Sequence, residues 1–457
     1  MTMKTEQSSF RDRDGFIFYQ DDEVYRAILP SYYEDYSLLK DSGLLHELTD
    51  KHLLVGHEEC ENFTDLGDIK LIKPQKIPFI SYPYEWSFHQ LKRAALLTLD
   101  IQLASLQRGM SLKDATAFNV QFLNGKPIFI DTLSFERYKE GEPWQAYKQF
   151  CQHFLAPLVM QVYGVDELNK IQQVYIDGLP LDLAVKALPF RSRLNLSIYP
   201  HIHLNAKYER KYKGDTKIKD KKIALSKEKL VQIINHLKVM VSSFKLPKSK
   251  TNWTDYYQEF SYNDSNIQEK KDFVREIAEA LKPAAIVDSG SNTGVFSEIC
   301  SPYAQQVISF DFDASVIHNQ CKNIAKKKLT NILPLIVDMI NPTPAIGWGN
   351  EERKSFVERL PQDAVTLSLA LIHHLVLSNN LTFEKIAEFY ARFSKNLVIE
   401  FVPKDDIQSQ RLLVTKRDIF ADYTLEHFQS VFEKYYKLIR KKELSGSKRI
   451  LYHFERL

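Results

Sequence analysis

Apolar positions along this chain follow two rhythms, and the change comes near residue 268. In the first part, short alternating runs at residues 15–19 and 23–28 predict a pair of strands, and helical spacing follows over 33–48. An apolar run at 77–82 predicts a further strand, leading into a helix over 87–108. On that helix Leu91, Ala95, Leu99, Leu103 and Leu106 share one face, and Gly109 stops it. Runs at 120–122 and 127–130 flank Asn124-Gly125, the sequence signal of a tight hairpin. From 144 to 188 the spacing is mostly helical.

After 268 helices and strands alternate. A helix over 269–281 precedes a strand at 284–287, and a glycine-bearing turn opens the next helix. Then come a strand at 307–310, a helix at 314–327, and strand-like runs at 332–337, 364–371 and 397–401. The end pairs 436–441 with 450–454 across Ser445-Gly446-Ser447. This order predicts an α/β, Rossmann-like, doubly wound and mostly parallel sheet closed by a terminal antiparallel hairpin, behind an α+β first half.

A length of 457 residues exceeds one ordinary core and predicts two domains. The pattern divides the chain into 1–206, a basic helical linker at 207–250, and 251–457. Between Lys207 and Lys229 ten Lys/Arg face four Asp/Glu, the composition of a solvated linker or helix face; the alternative is an electrostatic patch for an anionic substrate. Overall, 44% hydrophobic and 26% charged residues describe a soluble globular protein, and the nearly balanced formal charge of +3 gives no general reason to expect nucleic acid or an anionic membrane surface. Cys60, Cys151, Cys300 and Cys321 stand too far apart for a metal motif or a disulfide framework. With no apolar leader and no run of roughly 20 apolar residues, the expected location is the cytoplasm, without a membrane span.

The segment with most chemistry is Ile286-Val287-Asp288-Ser289-Gly290-Ser291-Asn292-Thr293-Gly294-Val295-Phe296-Ser297. An apolar strand ends in an acid, turns through glycines and enters a helix, where a Rossmann-like unit holds its ligand. Glycine at 290 and 294 permits close backbone approach. The spacing D-x-G-x-x-x-G is neither the dinucleotide fingerprint nor a phosphate loop, since no lysine follows Gly294. It resembles the first motif of class I S-adenosylmethionine-dependent methyltransferases. The resemblance implies a cofactor site in which Gly290 and Gly294 face the methionine portion, Asn292 belongs to the cofactor-binding turn, and Asp288 holds the turn and helps orient the cofactor's ammonium. Asp311 ends the second strand, seventeen residues after Gly294, at the position that takes ribose hydroxyls; Asp313 is the weaker candidate there. Asp338 ends the third strand, where the family has an acid near the adenine amino group.

The fourth strand is expected over 363–375 and carries His373 and His374 to the edge where reacting groups gather in open α/β sheets. A neutral imidazole suits removal of an acceptor proton, although a histidine at a strand–helix junction also packs for purely structural reasons. Glu400 closes the fifth strand and either orients substrate or forms a strand-end ion pair. No Asn/Asp-Pro-Pro-Tyr run and no cysteine beside a proline follow the fourth strand, which argues against methylation of a nucleic-acid base.

In the first half, Asp114 and Asn119 have the D-x-x-x-x-N spacing of a kinase catalytic loop, and Asp131 follows twelve residues later. This stretch resembles the carboxyl lobe of protein-kinase-like folds, which makes Asp114, Asn119 and Asp131 weak candidates for holding a metal and a nucleotide. The departures are plain: Leu112 stands for the loop histidine, Thr132-Leu133 follows Asp131, no glycine-rich loop is visible, and Arg26 is the sole stand-in for the strand lysine. A degenerate kinase-like accessory domain fits best, an unrelated helical domain next, and active phosphotransfer least. His201-Ile202-His203 reads as a surface strand. Tyr82, Tyr84, Trp86 and Phe88 read as packing, and Trp253, Tyr256, Tyr257 and Tyr262 as a lid over the second domain.

Across the chain, Ser81-Tyr82-Pro83-Tyr84-Glu85-Trp86-Ser87, Ile130-Asp131-Thr132-Leu133-Ser134-Phe135-Glu136 and Glu400-Phe401-Val402-Pro403-Lys404 resemble a bacterial group of two-part, nodulation-type methyltransferases. The resemblance implies S-adenosylmethionine as cofactor but no secure substrate; the expected reaction is in-line methyl transfer to an O or N nucleophile of a small molecule, glycan or protein, a displacement that requires no metal. The rivals are a kinase-like phosphotransferase with a regulatory methyltransferase domain and a non-catalytic cofactor-binding scaffold.

Overall fold

The computed structural model describes residues 4–60, 69–165, 168–212, 225–247, 264–414 and 416–457. The chain forms two compact units: Met1–Lys248 with Ala345–Lys354, and Ser249–Pro344 with Ser355–Leu457.

The first unit opens with a five-stranded antiparallel sheet in the order β1-β2-β3-β5-β4. Its strands are β1 (Lys4–Thr5), β2 (Gly15–Gln20), β3 (Glu23–Ile28), β4 (His57–Cys60) and β5 (Lys70–Pro74). Alternation along β3 sends Ala27 to a cluster with Phe18 and Leu71, and Ile28 to one with Tyr32, Tyr36, Ile72 and Leu133. Helices Tyr33–Asp41 and Leu44–Asp50 fill the connection from β3 to β4. The helix Phe88–Gln107 starts at a capping box, in which Ser87 Oγ accepts from the Gln90 amide and Gln90 Oε1 accepts from the Ser87 amide. Beyond it lie β6 (Met110–Leu112), the hairpin β7 (Val120–Leu123) and β8 (Lys126–Phe129), and β9 (Phe135–Arg137), which pairs with β6. Asn124 and Gly125, at φ 51° and 70°, supply the two left-handed residues the hairpin turn needs.

Three sequence expectations change here. Residues 77–82 form no strand. Side chains take the backbone groups a ladder would use: Gln121 brackets Ser81 N and O, and Glu85 accepts from Tyr82 N. His201-Ile202-His203 is not a surface strand but part of the buried helical turn Pro200–Leu204; His201 meets the Tyr147 hydroxyl at 2.6 Å and His203 meets Ser192 at 2.9 Å. The helix Lys227–Ser243, within the stretch read as a linker, buries Leu230, Ile234, Leu237 and Met240 and packs against Phe88–Gln107. The core of the basic run, 213–224, lies outside the described residues, as do Trp253, Tyr256, Tyr257 and Tyr262.

The arm Ala345–Lys354 belongs to the first unit although its chain neighbours belong to the second. It folds back on itself between Ile346 and Arg353. Glu352, buried, takes Arg11 at 2.9 Å; Lys354 reaches Glu6 at 2.9 Å; and the Arg353 guanidinium lies 4.4 Å from the Phe118 ring centroid.

The second unit is α/β. Its seven-stranded sheet has the order β12-β11-β10-β13-β14-β16-β15, with β10 (Ala285–Ser289), β11 (Gln306–Asp311), β12 (Ile332–Ile336), β13 (Ala364–Ser368), β14 (Ser394–Phe401), β15 (Tyr436–Glu443) and β16 (Ile450–Arg456). β10 to β14 are mutually parallel; β16 runs antiparallel between β14 and β15. The parallel strands read as continuous apolar runs because both faces are covered. Ile286, Val307, Val365, Leu367 and Val398 pack with Phe273, Val274 and Ile277 of the helix Asp264–Leu281 and with Phe296 and Cys300 of Val295–Cys300. The fourth strand is shorter than expected. It stops at Ser368, and the helical turn His374–Ser378 begins six residues later.

Candidate functional site

Adjacent parallel strands carry their carboxyl ends to one edge of the sheet. Asp288 and Asp311 sit at the ends of β10 and β11, and Asp338 lies just past β12. The glycine turn after β10 is pinned to β11, since the amides of Gly290 and Ser291 both donate to Phe310 O at 3.0 Å. Asp311 closes the same turn from its side chain, accepting from the Asn292 amide at 3.0 Å. Gly290, Asn292 and Gly294 all have left-handed φ (69°, 48° and 84°), which an asparagine tolerates and glycine adopts freely. Asp313 is spent capping the helix Ala314–Lys327, accepting from the Ser315 amide at 2.8 Å. Asp338 accepts from the Ile340 amide at 2.9 Å, and Val337 N donates to Asp311 O, which keeps this end beside β11.

Burial pushes both central acids up to about 6. At Asp288 two hydrogen bonds from Ser297 oppose that rise and the Asp311 charge adds to it. At Asp311 the amides of Asp313 and Asn292 oppose it.

Residues invisible to motif reading hold this corner. Ser297 Oγ donates to Asp288 at 2.5 Å, and Gln320 Nε2 donates to Ser309 Oγ at 2.9 Å. A Cβ on Gly294 would fall 2.2 Å from Gln320 Nε2, so packing inside the protein already requires glycine there; on Gly290 it would meet Leu371 at 3.3 Å.

Past β13, Ala370 has φ 51°, an uncommon conformation for a residue with a Cβ, and its amide donates to Glu400 Oε2 at 2.8 Å. Glu400 is fully buried at the end of β14 and also takes Lys270 Nζ at 2.6 Å, with Arg449 Nη1 at 3.5 Å. Burial raises its pKa, but Lys270 and Arg449 outweigh that and leave it lowered. Arg449 in turn engages Asp406 at 2.8 Å. Glu400 is therefore an ion-pair hub that shapes the β13 end.

His373 and His374, at the start of the helical turn that follows, have ring centroids 4.2 Å apart with the ring planes tilted by 47°. His373 is wholly buried, and among the described residues neither ring nitrogen has a hydrogen-bond partner. Burial, with His374, Arg449 and Lys270 adding like charge, drives its pKa well down; burial and Arg449 lower His374 to about 4. Both rings are neutral at pH 7.

In the first unit the kinase-spaced residues also meet. Arg26, on β3, grips Asp131 at 2.7 Å and Asp12 at 2.6 Å. Ser134 Oγ bonds Asp131, Asn119 donates to that serine at 3.0 Å, and Asn119 also hydrogen-bonds Asp114. Burial, then the Asp131 charge, raises the Asp114 pKa. Among the described residues no group of three or more His, Cys, Asp or Glu is arranged to hold a metal.

No family model matches the chain. Nodulation protein NoeA of Rhizobium meliloti (strain 1021) is 34% identical over 458 residues, covering 98% of this chain and 95% of that protein. Among solved structures, the N-methyltransferase NodS from Bradyrhizobium japonicum WM9 in complex with S-adenosyl-L-homocysteine superposes with a TM-score of 0.33, 12% identity, and coverage of 45% of this chain and 99% of that one. The bifunctional kinase-methyltransferase WbdD superposes at 0.32 with 15% identity, covering 48% and 46%. Scores this low carry no argument about fold or function. The sequence likeness to NoeA, at a third of all positions and over nearly the whole of both chains, does: the protein belongs to the NoeA family of nodulation proteins.

Proposed function

We propose that the second unit is a class I methyltransferase domain that takes S-adenosylmethionine as cofactor and methylates an oxygen or nitrogen nucleophile of a small molecule, glycan or protein. The observation that carries this reading is the placement of Asp288, Asp311 and Asp338 along one edge of three neighbouring parallel strands, next to a left-handed glycine turn. Ligands of open α/β sheets bind at that edge. The residues fit a cationic ligand bearing a ribose. Burial pushes the carboxyls of Asp288 and Asp311 up to about 6, and a cation bound beside them would favour their ionised forms.

Asp311 would accept the ribose hydroxyls, and its side chain already faces the turn through Asn292. Gly290 would admit the methionine portion against the backbone, Asn292 and Gly294 would line the same turn, Asp288 would hold the turn in shape, and Asp338 would face the base. When bound, the cofactor supplies a sulfonium-activated methyl group, so positioning provides most of the rate. One of His373 and His374, both kept neutral by burial and nearby cations, would take the acceptor proton, and Glu400 would set the geometry of the loop that carries them. The test is calorimetric titration with S-adenosylmethionine, followed by methyl-tritium transfer over fractionated cell extract. Binding is expected to disappear in Gly290→Arg and to weaken about 10- to 100-fold in Asp311→Ala, because a charged acceptor of two hydroxyl hydrogen bonds is lost. A silent titration with folded protein overturns the reading. Cofactor binding without turnover on any fraction would favour the non-catalytic scaffold.

For the first unit the proposal is a degenerate kinase-like accessory domain, supported by Arg26 at the strand position where it neutralises Asp131. Binding of ATP–Mg²⁺ lost in Asp131→Ala would favour the phosphotransferase reading instead.

A further inference from the structure

From Leu183 to Tyr208 the chain contains no acidic residue, while Lys186, Arg191 and Arg193 lie within it. In the same stretch three large apolar side chains stand close together in solvent: Phe190 is 70% exposed, Leu194 70% and Leu196 87%. Their exposure does not come from a loose loop. Ser192, fully buried, donates to Pro189 O at 2.7 Å and meets His203 at 2.9 Å, and Ile198 is buried two residues past Leu196. Asn195 Oδ1 accepts from the amides of Ser197 and Ile198 at 3.0 and 3.2 Å, fixing the turn between these anchors. The 3₁₀ turn Phe190–Leu194 is thus a built platform that points its apolar side chains outward. Arg191 and Arg193 lie over the rings of Tyr163 and Phe190, and neither has a carboxylate partner among the described residues.

We infer that this platform is an interfacial patch that seats the first unit on an anionic lipid surface, Phe190, Leu194 and Leu196 entering the acyl boundary and Arg191 and Arg193 pairing with headgroup phosphates. Apolar tips flanked by unpaired cations are what such a surface recognises: hydrocarbon below, negative charge above. A single-stranded nucleic acid would use the arginines and could stack on Phe190, but it offers nothing to the leucine tips at 194 and 196. The inference is independent of the methyltransferase reading.

The experiment is co-sedimentation of the full chain with large unilamellar vesicles, either of phosphatidylcholine alone or of phosphatidylcholine with a quarter phosphatidylglycerol. Binding is expected to the anionic vesicles, to fall with added salt as charges are screened, and to be much weaker on the neutral ones. Arg191→Ala/Arg193→Ala should weaken partition about 25-fold, roughly fivefold for each charge removed. Phe190→Ser/Leu194→Ser/Leu196→Ser should abolish it with the melting temperature unchanged, since these side chains are exposed. The inference fails if the chain ignores anionic vesicles or if neither variant alters binding. It fails equally if sedimentation velocity shows the triple variant dissolving a dimer of the wild type, which would make the patch a subunit interface. Binding of single-stranded RNA that survives the triple variant but not the arginine variant, without vesicle binding, overturns it as well.

Discussion

Asp311 has a double task in this fold. Its carboxylate holds the Asn292 amide, and in the proposed function it also receives the ribose. Its pKa and that of Asp288 stand at about 6, above the ordinary carboxylate range. A cationic ligand favours the ionised form, so binding should expel protons near pH 6. We expect S-adenosylmethionine affinity to fall as pH drops below about 6, approaching tenfold per unit for each acid that must ionise; titrations in buffers of different ionisation enthalpy read the released protons. Stability runs the other way. A carboxyl with a raised folded-state pKa stabilises the fold fully below its unfolded value, near 3.8, and loses that contribution as pH rises through about 6. The ligand-free protein should therefore gain from these two groups on acidification across that window, and Asp288→Asn should flatten the gain in a pH series of melting curves. Two glycines of the same turn divide in an equally local way. Gly294→Ala collides with Gln320 and demands a left-handed alanine, so it should cost about 1–3 kcal/mol in denaturant unfolding. Gly290→Ala meets only the flexible end of Leu371 and should cost about 1 kcal/mol, mainly conformational.

The end of β13 is set by a neighbour rather than by its own sequence. Glu400 holds the Ala370 amide, so the strand breaks at Ser368 and turns through a left-handed alanine before the histidine pair. Apolar content continues without interruption through Leu369, Ala370, Leu371 and Ile372, which is why the pattern alone carries the strand past Ser368 to at least 371. The opposite error occurs at 77–82, where an apolar run is captured by Gln121 and Glu85. Wherever the element bonds to itself or to a regular neighbour, the pattern is legible. The helix Ala314–Lys327 and the terminal hairpin fall at or within two residues of expectation, and the three strand-end acids stand where alternation puts them. Ser297, Gln320, Lys270 and Arg449 were not legible, because a partner 9 to 130 residues away leaves no local periodicity. Lys270 shows what such a partner contributes. Lys270→Met would leave Glu400 buried with the Ala370 amide and a more distant Arg449, at a cost of about 2–4 kcal/mol. Glu400, with its pKa lowered, supports the fold above its unfolded value and stops doing so as pH falls through the folded one. The variant should melt lower at pH 7 and approach the wild type in acid; a variant with the wild-type pH profile would remove the hub from this account.

At the scale of the whole molecule, chain order and compact unit do not coincide. The first unit is completed by Ala345–Lys354, ten residues that leave the second unit after β12 and return before the helix Phe356–Arg359. The arm is held by charge as well as by packing. Glu352 is almost fully buried, and its carboxylate takes the Arg11 guanidinium through Nε at 2.9 Å and Nη2 at 3.0 Å, with the Trp348 amide at 3.2 Å. Arg11 and Glu352 are 341 residues apart, so each contact closes a very long loop, and the closure cost is shared with Lys354–Glu6 and Lys354 N–Tyr82. Removing Arg11 leaves a buried carboxylate with one backbone donor and Arg353 at 3.8 Å. Because Arg11 itself is half-exposed, the expected cost of Arg11→Ala is about 1–3 kcal/mol, below that of breaking a fully buried pair. Glu352→Gln should be cheaper, since an amide can stay buried on the same donors at lower desolvation cost. In the double variant the two losses should fall short of additive by at least about 1 kcal/mol, because the orphaned charge that makes Arg11→Ala expensive is then gone. Denaturant unfolding of the four proteins measures this coupling; strictly additive losses would mean that the arm is held by its Arg353–Phe118 and Lys354 contacts, and that the buried carboxylate contributes nothing to joining the two stretches of chain.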